Sequence, residues 1–93
     1  MAVHYSMLCN PRNDGDGRVL AEELRKHLTE SLVAFTVNKN KDEFVRMTSC
    51  RYLSDGDIRV CFIMGDNSAQ KLTGFLYDNQ DELDIDILEA GKD

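Results

Sequence analysis

Several features are scarce in this chain of 93 residues, and each scarcity narrows the possible classes of protein. It has one proline, six glycines and no tryptophan, and it contains no low-complexity segment. No apolar run approaches the roughly 20 residues that span a bilayer. The first eight residues lack the basic region and long apolar stretch of a signal peptide. We therefore expect one folded domain over residues 1–93, located in the cytoplasm.

Cysteine is also scarce, and its pattern bears on redox state and chemistry. Cys9, Cys50 and Cys61 are odd in number and form no Cys-x-x-Cys pair, which predicts free thiols in a reducing compartment. With two histidines they make no zinc pattern. In a strand His4 lies on the opposite face from Cys9, and His27 flanks an apolar helix stripe. We therefore predict no enzyme and no cofactor.

Basic residues are almost absent from the end of the chain. Residues 1–77 hold ten acids and ten bases, whereas residues 78–93 hold seven acids and only Lys92. The net charge of −6 arises entirely in this acidic C-terminal segment. Direct binding to nucleic acid or to an anionic membrane is not expected, because both need clustered Lys and Arg. The expected partner is a basic protein surface.

One amphipathic helix is predicted from Arg18 to Leu32. Leu20, Leu24 and Leu28 recur with Leu32 at intervals of four residues and form an apolar stripe. Charged residues cover the opposite side. This pattern places one face of the helix on a core and the other in water.

Elsewhere the apolar pattern has a period of two, which is typical of strands. The predicted strands cover residues 1–9, 35–37, 44–53, 58–64 and 82–87. Residues 71–77 fit a strand or a short helix, since Gly74 weakens both. The apolar run 58–64 is predicted to be central, and the Asp-Gly pair before it predicts a hairpin turn. The result is an α+β fold, β-α-β-β-β-β-β, with one helix on an antiparallel, mostly meander sheet.

The acidic C-terminal segment, residues 78–93, carries the main functional hypothesis. In a strand, Glu82, Asp84 and Asp86 project from one face roughly 6.5–7 Å apart. One DNA strand carries a phosphate about every 3.4 Å, so this row approximates every second phosphate. The alternative is a charged edge strand that resists aggregation.

We therefore predict a small non-enzymatic binding or inhibitor protein that occupies a basic surface of a partner protein. In one form of this hypothesis it mimics nucleic acid and blocks a nuclease or another nucleic-acid-binding protein. Phage anti-defence proteins, antitoxins and immunity proteins share its small size and acidity. The predicted partner-binding residues are Asp78, Asp81, Glu82, Asp84, Asp86 and Glu89. A second hypothesis is a homodimer joined through an exposed strand edge or an apolar face.

Residues 12–23 resemble an EF-hand calcium loop. Asp14 and Asp16 stand at loop positions three and five, a glycine follows at the sharp turn, and Glu23 stands at position twelve. The resemblance implies a calcium site formed by Asp14, Asp16 and Glu23, with Arg12 in place of the first acidic ligand. The other interpretation is a glycine-rich turn that caps the following helix.

Overall fold

The computed structural model describes residues 2–35 and 44–93, which form an antiparallel sheet with helices on one face. The elements are β1 Ala2–Pro11, α1 Gly17–Phe35, β2 Val45–Tyr52, β3 Ile58–Gly65, α2 Ala69–Asp78, α3 Gln80–Leu83 and β4 Ile85–Lys92. A 3-10 turn, Asp66–Ser68, leads into α2. The strand order is β2-β3-β1-β4, and every neighbouring pair is antiparallel. With α3 as a short extension of α2, this is the split βαβ arrangement.

Both long helices pack on the same face of the sheet. The buried apolar residues are, from the sheet, Tyr5, Met7, Cys9, Val45, Ile58, Val60, Phe62, Met64 and Ile85, and from the helices Ala21, Leu24, Leu28, Leu32, Leu72, Leu76 and Leu83. Tyr5 packs edge-to-face on Phe62, with ring centroids 5.8 Å apart. Its hydroxyl lies 2.5 Å from Thr73 Oγ1, which links β1 to α2. Among the described residues no element covers the opposite face, called the open face below.

Much of the predicted secondary structure is confirmed. The α+β class is correct, and the predicted helix 18–32 lies within α1. The Asp-Gly pair forms the β2–β3 hairpin, where Leu53 N donates to Asp57 O at 2.8 Å and Gly56 takes a φ of 97°. Residues 58–64 lie in β3, which is a central strand of the sheet. Among the described strands, β2 and β3 are the one consecutive pair that is also hydrogen-bonded, since β3 lies between β2 and β1 and β1 lies between β3 and β4.

Two of the predicted strands differ from the structure, and residues 71–77, for which both a strand and a helix were predicted, take one of the two forms. Phe35, predicted to open a strand, ends α1, and the rest of that predicted strand lies outside the described residues. Residues 71–77 are helical, within α2. The predicted strand 82–87 is wrong in its first part, because Leu83 N donates to Asn79 O at 2.9 Å in the helical turn α3. Asp84 then takes a left-handed φ of 59°, and β4 starts only at Ile85.

Candidate functional site: the acidic end of the sheet

Three segments meet at one end of the sheet because its strands are antiparallel. Residues 12–18 follow β1, residues 53–57 join β2 to β3, and residues 80–86 lead into β4. The backbone pairs Cys9 with Ile58 and Pro11 with Ile85, which brings the three segments together. We call them the acidic end.

The acidic end holds eight of the seventeen acidic side chains of the chain. Its carboxylates belong to Asp14, Asp16, Asp55, Asp57, Asp81, Glu82, Asp84 and Asp86. The cations in the same three segments are Arg12 and Arg18. Eight acids against two bases leave −6 at one end, equal to the net charge of the whole chain. A basic surface is attracted to such a field, while a phosphate backbone is repelled.

Arg12 organises the carboxylates that precede and open β4. Its Nη1 donates to Asp81 Oδ1 at 2.6 Å, and its Nε donates to Asp86 Oδ1 at 3.0 Å. Its backbone N donates to Asp84 O at 2.9 Å, and the neighbouring Asn13 amide donates to the Asp84 carboxylate. The hydrogen bond to Asp81, followed by that to Asp86, raises the pKa of Arg12. These contacts hold acids from α3 and β4 against the end of β1.

Asp16 and Asp57 make further hydrogen bonds at the acidic end. Asp16 Oδ1 accepts from Arg18 N at 2.9 Å and Val19 N at 3.4 Å, and it therefore caps the start of α1. Asp57 Oδ1 accepts from the Asn10 amide at 2.9 Å, which ties the hairpin loop to β1. The acidic end is thus assembled by hydrogen bonds between segments far apart in sequence.

The structure brings together part of the predicted partner-binding set. Asp81, Glu82, Asp84 and Asp86 lie at the acidic end, and Asp78 ends α2 just before it. Glu89 lies farther along β4, opposite Leu8 of β1.

The predicted carboxylate row is wrong. Glu82 is helical, Asp84 is in the left-handed region, and only Asp86 lies in a strand. The alternation of Ile85 and Ile87 with acids is real, but it begins after the turn rather than at Leu83. The acids therefore form a cluster around Arg12 rather than a ladder on one strand.

The predicted calcium ligands do not form a site. Asp14, Asp16 and Glu23 do not converge, and among residues 2–35 and 44–93 no group of three or more His, Cys, Asp or Glu is placed to hold a metal ion. Asp16 is engaged in the helix cap. The hydrogen bond from Arg18 N to Asp16 Oδ1 agrees with the interpretation of this loop as a turn that caps α1.

The thiols described at the core are held protonated. Burial raises the pKa of Cys9 to about 12, and its Sγ lies 3.6 Å from the carbonyl oxygen of Ile58. Burial also raises the pKa of Cys50 to about 11, against a smaller opposing effect of Arg25. A thiol is a nucleophile only as its thiolate, so neither group is activated at neutral pH.

Sequence reasoning missed Asp55 and Asp57 and the role of Arg12. The available signal was the pair of Asp- and Gly-rich turns at residues 13–17 and 54–57, which were both predicted as turns. The neighbouring sequence does not indicate that these two turns lie side by side, because their proximity depends on the pairing of β1 with β3.

Comparisons with known proteins do not assign this fold and site to a family. No family model matches the chain, and no curated protein or solved structure matches it. Among the described residues, no helix is both long and apolar enough to cross a membrane.

Proposed function

We propose that this chain is a non-enzymatic binding protein whose acidic end docks on a basic surface of a partner protein. The observation that carries the proposal is the gathering of eight carboxylates and two arginines in three segments at one end of the sheet. The Asp81 side chain is 94% exposed while still bonded to Arg12. Such a carboxylate keeps free lone pairs for Lys or Arg of a partner.

The network around Arg12 favours binding by a preorganised surface. Asp81 and Asp86 belong to different elements, yet one guanidinium holds both. A surface that is already ordered loses less conformational entropy on binding than a flexible acidic tail. This supports an inhibitor that competes for a basic cleft, including the cleft of a nuclease or another nucleic-acid-binding protein.

A capture experiment with two matched variants tests the proposal. The acidic-end variant carries Asp14→Asn and Glu82→Gln, whose side chains make no described hydrogen bond or ion pair, so the Arg12 network stays intact. The control variant carries Glu30→Gln and Asp66→Asn, which lie outside the acidic end and change the net charge equally. Asp66→Asn also removes the exposed ion pair between Asp66 and Lys92, so the control is the more demanding of the two variants for the fold. Tagged wild type and both variants are incubated with bacterial lysate at low and at moderate salt.

We expect one basic protein to be captured by the wild type and the control, and to be lost with the acidic-end variant or at moderate salt. If the captured protein binds nucleic acid, the wild type should also displace DNA from it. Equal capture by all three proteins at both salt concentrations would overturn the proposal, because binding would then depend neither on these carboxylates nor on charge.

A further inference from the structure

The open face of the sheet separates its charges between two sides. Arg46, Arg51 and Arg59 are exposed on the β2–β3 side, where each alternates with residues that face the core. Glu89 is exposed on the β4 side, and Asp93 follows the strand. The Asp93 Oδ1 accepts from Ser6 Oγ at 2.7 Å, which holds it on this face. None of these five side chains has an ion-pair partner among the described residues.

The strand register arranges these charges in two rows that cross the sheet. In the first row the backbone partners are Arg51, Arg59, Leu8 and Glu89, one from each strand. In the second row Arg46 pairs with Ile63, Ile63 pairs with His4, and Asp93 N donates to His4 O at 2.9 Å. Each row therefore begins with an arginine on β2 and ends with a carboxylate on or just after β4.

This pattern is complementary to itself under a two-fold rotation. An axis parallel to the strands, between β3 and β1, places β4 of a second copy over β2 of the first. The rotation keeps each row at its own level along the strands, so Arg51 faces Glu89 of the second copy and Arg46 faces its Asp93. Both contacts occur twice, as an isologous interface requires.

The centre of the open face is apolar and partly exposed, as is common in protein–protein interfaces. Leu8, Cys61 and Ile63 are half-buried there, and Leu88 at its β4 side is 55% exposed. Arg51 and Arg59 are direct cross-strand partners, an arrangement of like charges that destabilises a sheet unless an anion faces it. A second sheet packed about 10 Å away would cover the apolar centre and supply the anions.

We propose that the open face is a homodimer interface, in which two copies pack sheet against sheet with the two-fold axis parallel to the strands. The occupant is a second copy of this chain rather than nucleic acid, because Glu89 and Asp93 on the same face repel phosphates. The inference goes beyond the proposed function, since the acidic end and the open face are different surfaces.

Charge reversal in two complementary variants tests the pairing. In the first variant, Arg46→Glu with Arg51→Glu, four of the five charged positions are acidic and Arg59 is the remaining cation. In the second, Glu89→Arg with Asp93→Arg, all five of these positions are basic. We expect the wild type to be a dimer by sedimentation at micromolar concentration, and each variant alone to dimerise roughly tenfold or more weakly. An equimolar mixture of the two variants should restore the dimer, because acidic and basic faces then meet.

The mixture also controls for folding, since unfolded variants cannot restore a dimer. A monomeric wild type would overturn the proposal. A dimer that survives both charge reversals would also overturn it and would point to pairing through the β2 or β4 edge.

Cys61 provides a second readout in the wild-type chain. It lies on the open face between the two charged rows, paired with Ser6 of β1. Its alkylation by iodoacetamide should slow as the wild-type concentration rises, and should not depend on concentration in either variant alone. Concentration-independent alkylation of a dimeric wild type would place the contact elsewhere.

Discussion

Arg12 donates from its Nη1 to Asp81 Oδ1 across 2.6 Å, and this bond ties the end of β1 to α3. Replacement by glutamine in Arg12→Gln removes the cation that separates Asp81 from Asp86. We expect a lower melting temperature at low salt and a smaller difference at high salt, where repulsion between the acids is screened. Thermal denaturation by circular dichroism at two salt concentrations measures this. Arg18→Gln is the control, since it removes the same charge at the acidic end without breaking a described ion pair, and an equal loss there would contradict a special role for Arg12.

The Tyr52 ring leaves no room for a side chain at position 17, and this contact, rather than an unusual backbone angle, explains the glycine there. A Cβ at Gly17 would overlap that ring, which packs against the start of α1. We expect Gly17→Ala to lower the free energy of unfolding by about 1 kcal/mol, because the ring must move. In a Tyr52→Ala background the same change should be neutral or stabilising, since alanine favours a helix over glycine. A urea-denaturation double-mutant cycle tests this, and additive effects would argue against the contact.

Gly74 and Gly56 should respond in opposite ways to alanine. Gly74 lies inside α2, and a Cβ there meets nothing within 4 Å. Gly74→Ala should therefore raise the free energy of unfolding by about 0.5–1 kcal/mol. Gly56 has equal space but a φ of 97°, so Gly56→Ala should lower it by about 1 kcal/mol. Urea denaturation measures the free energy of unfolding of both variants and separates the effect of backbone conformation from that of packing. A change in the same direction in both variants would contradict a role for the positive φ of Gly56.

Cys9 should make the protein less stable in alkaline solution. The folded protein holds the Cys9 proton up to a pKa of about 12, whereas the ordinary value is 9.0. The unfolded chain therefore loses this proton first, and the free energy of unfolding should fall as pH rises from about 9 towards 12. Urea denaturation across this range measures the slope. Cys9→Ala is the comparison, and a slope equal to that of the wild type would assign the effect to other groups.

The sequence predicted the elements whose signals are local. The stripe of Leu20, Leu24 and Leu28 indicated α1, and the apolar run 58–64 indicated a central strand. The Asp-Gly hairpin was also predictable, because Gly56 tolerates the positive φ that the turn needs. These signals depend on neighbours within a few residues.

Two kinds of error had physical causes. Leu83 alternates with acids as in a strand, but it is buried by a helical turn that Asp84 ends in the left-handed region. Alternation that involves only three apolar residues does not distinguish a strand from a helical turn followed by a strand. In the sequence, Arg12 stands where the first acidic ligand of a calcium loop would be, and nothing nearby indicates another role. Its partners Asp81 and Asp86 lie about 70 residues away in the chain, so the role of Arg12 is visible only in the folded structure.

The sequence by itself determined the α+β class, the main helix and the acidic character of residues 78–93, because hydrophobic period, turn chemistry and charge are properties of short segments. Only the tertiary structure decided where the charges meet. The pairing of β1 with both β3 and β4 brings three loops into the acidic end. The same register separates arginines from carboxylates across the open face. Both arrangements depend on contacts between residues far apart in the chain, which no local pattern specifies.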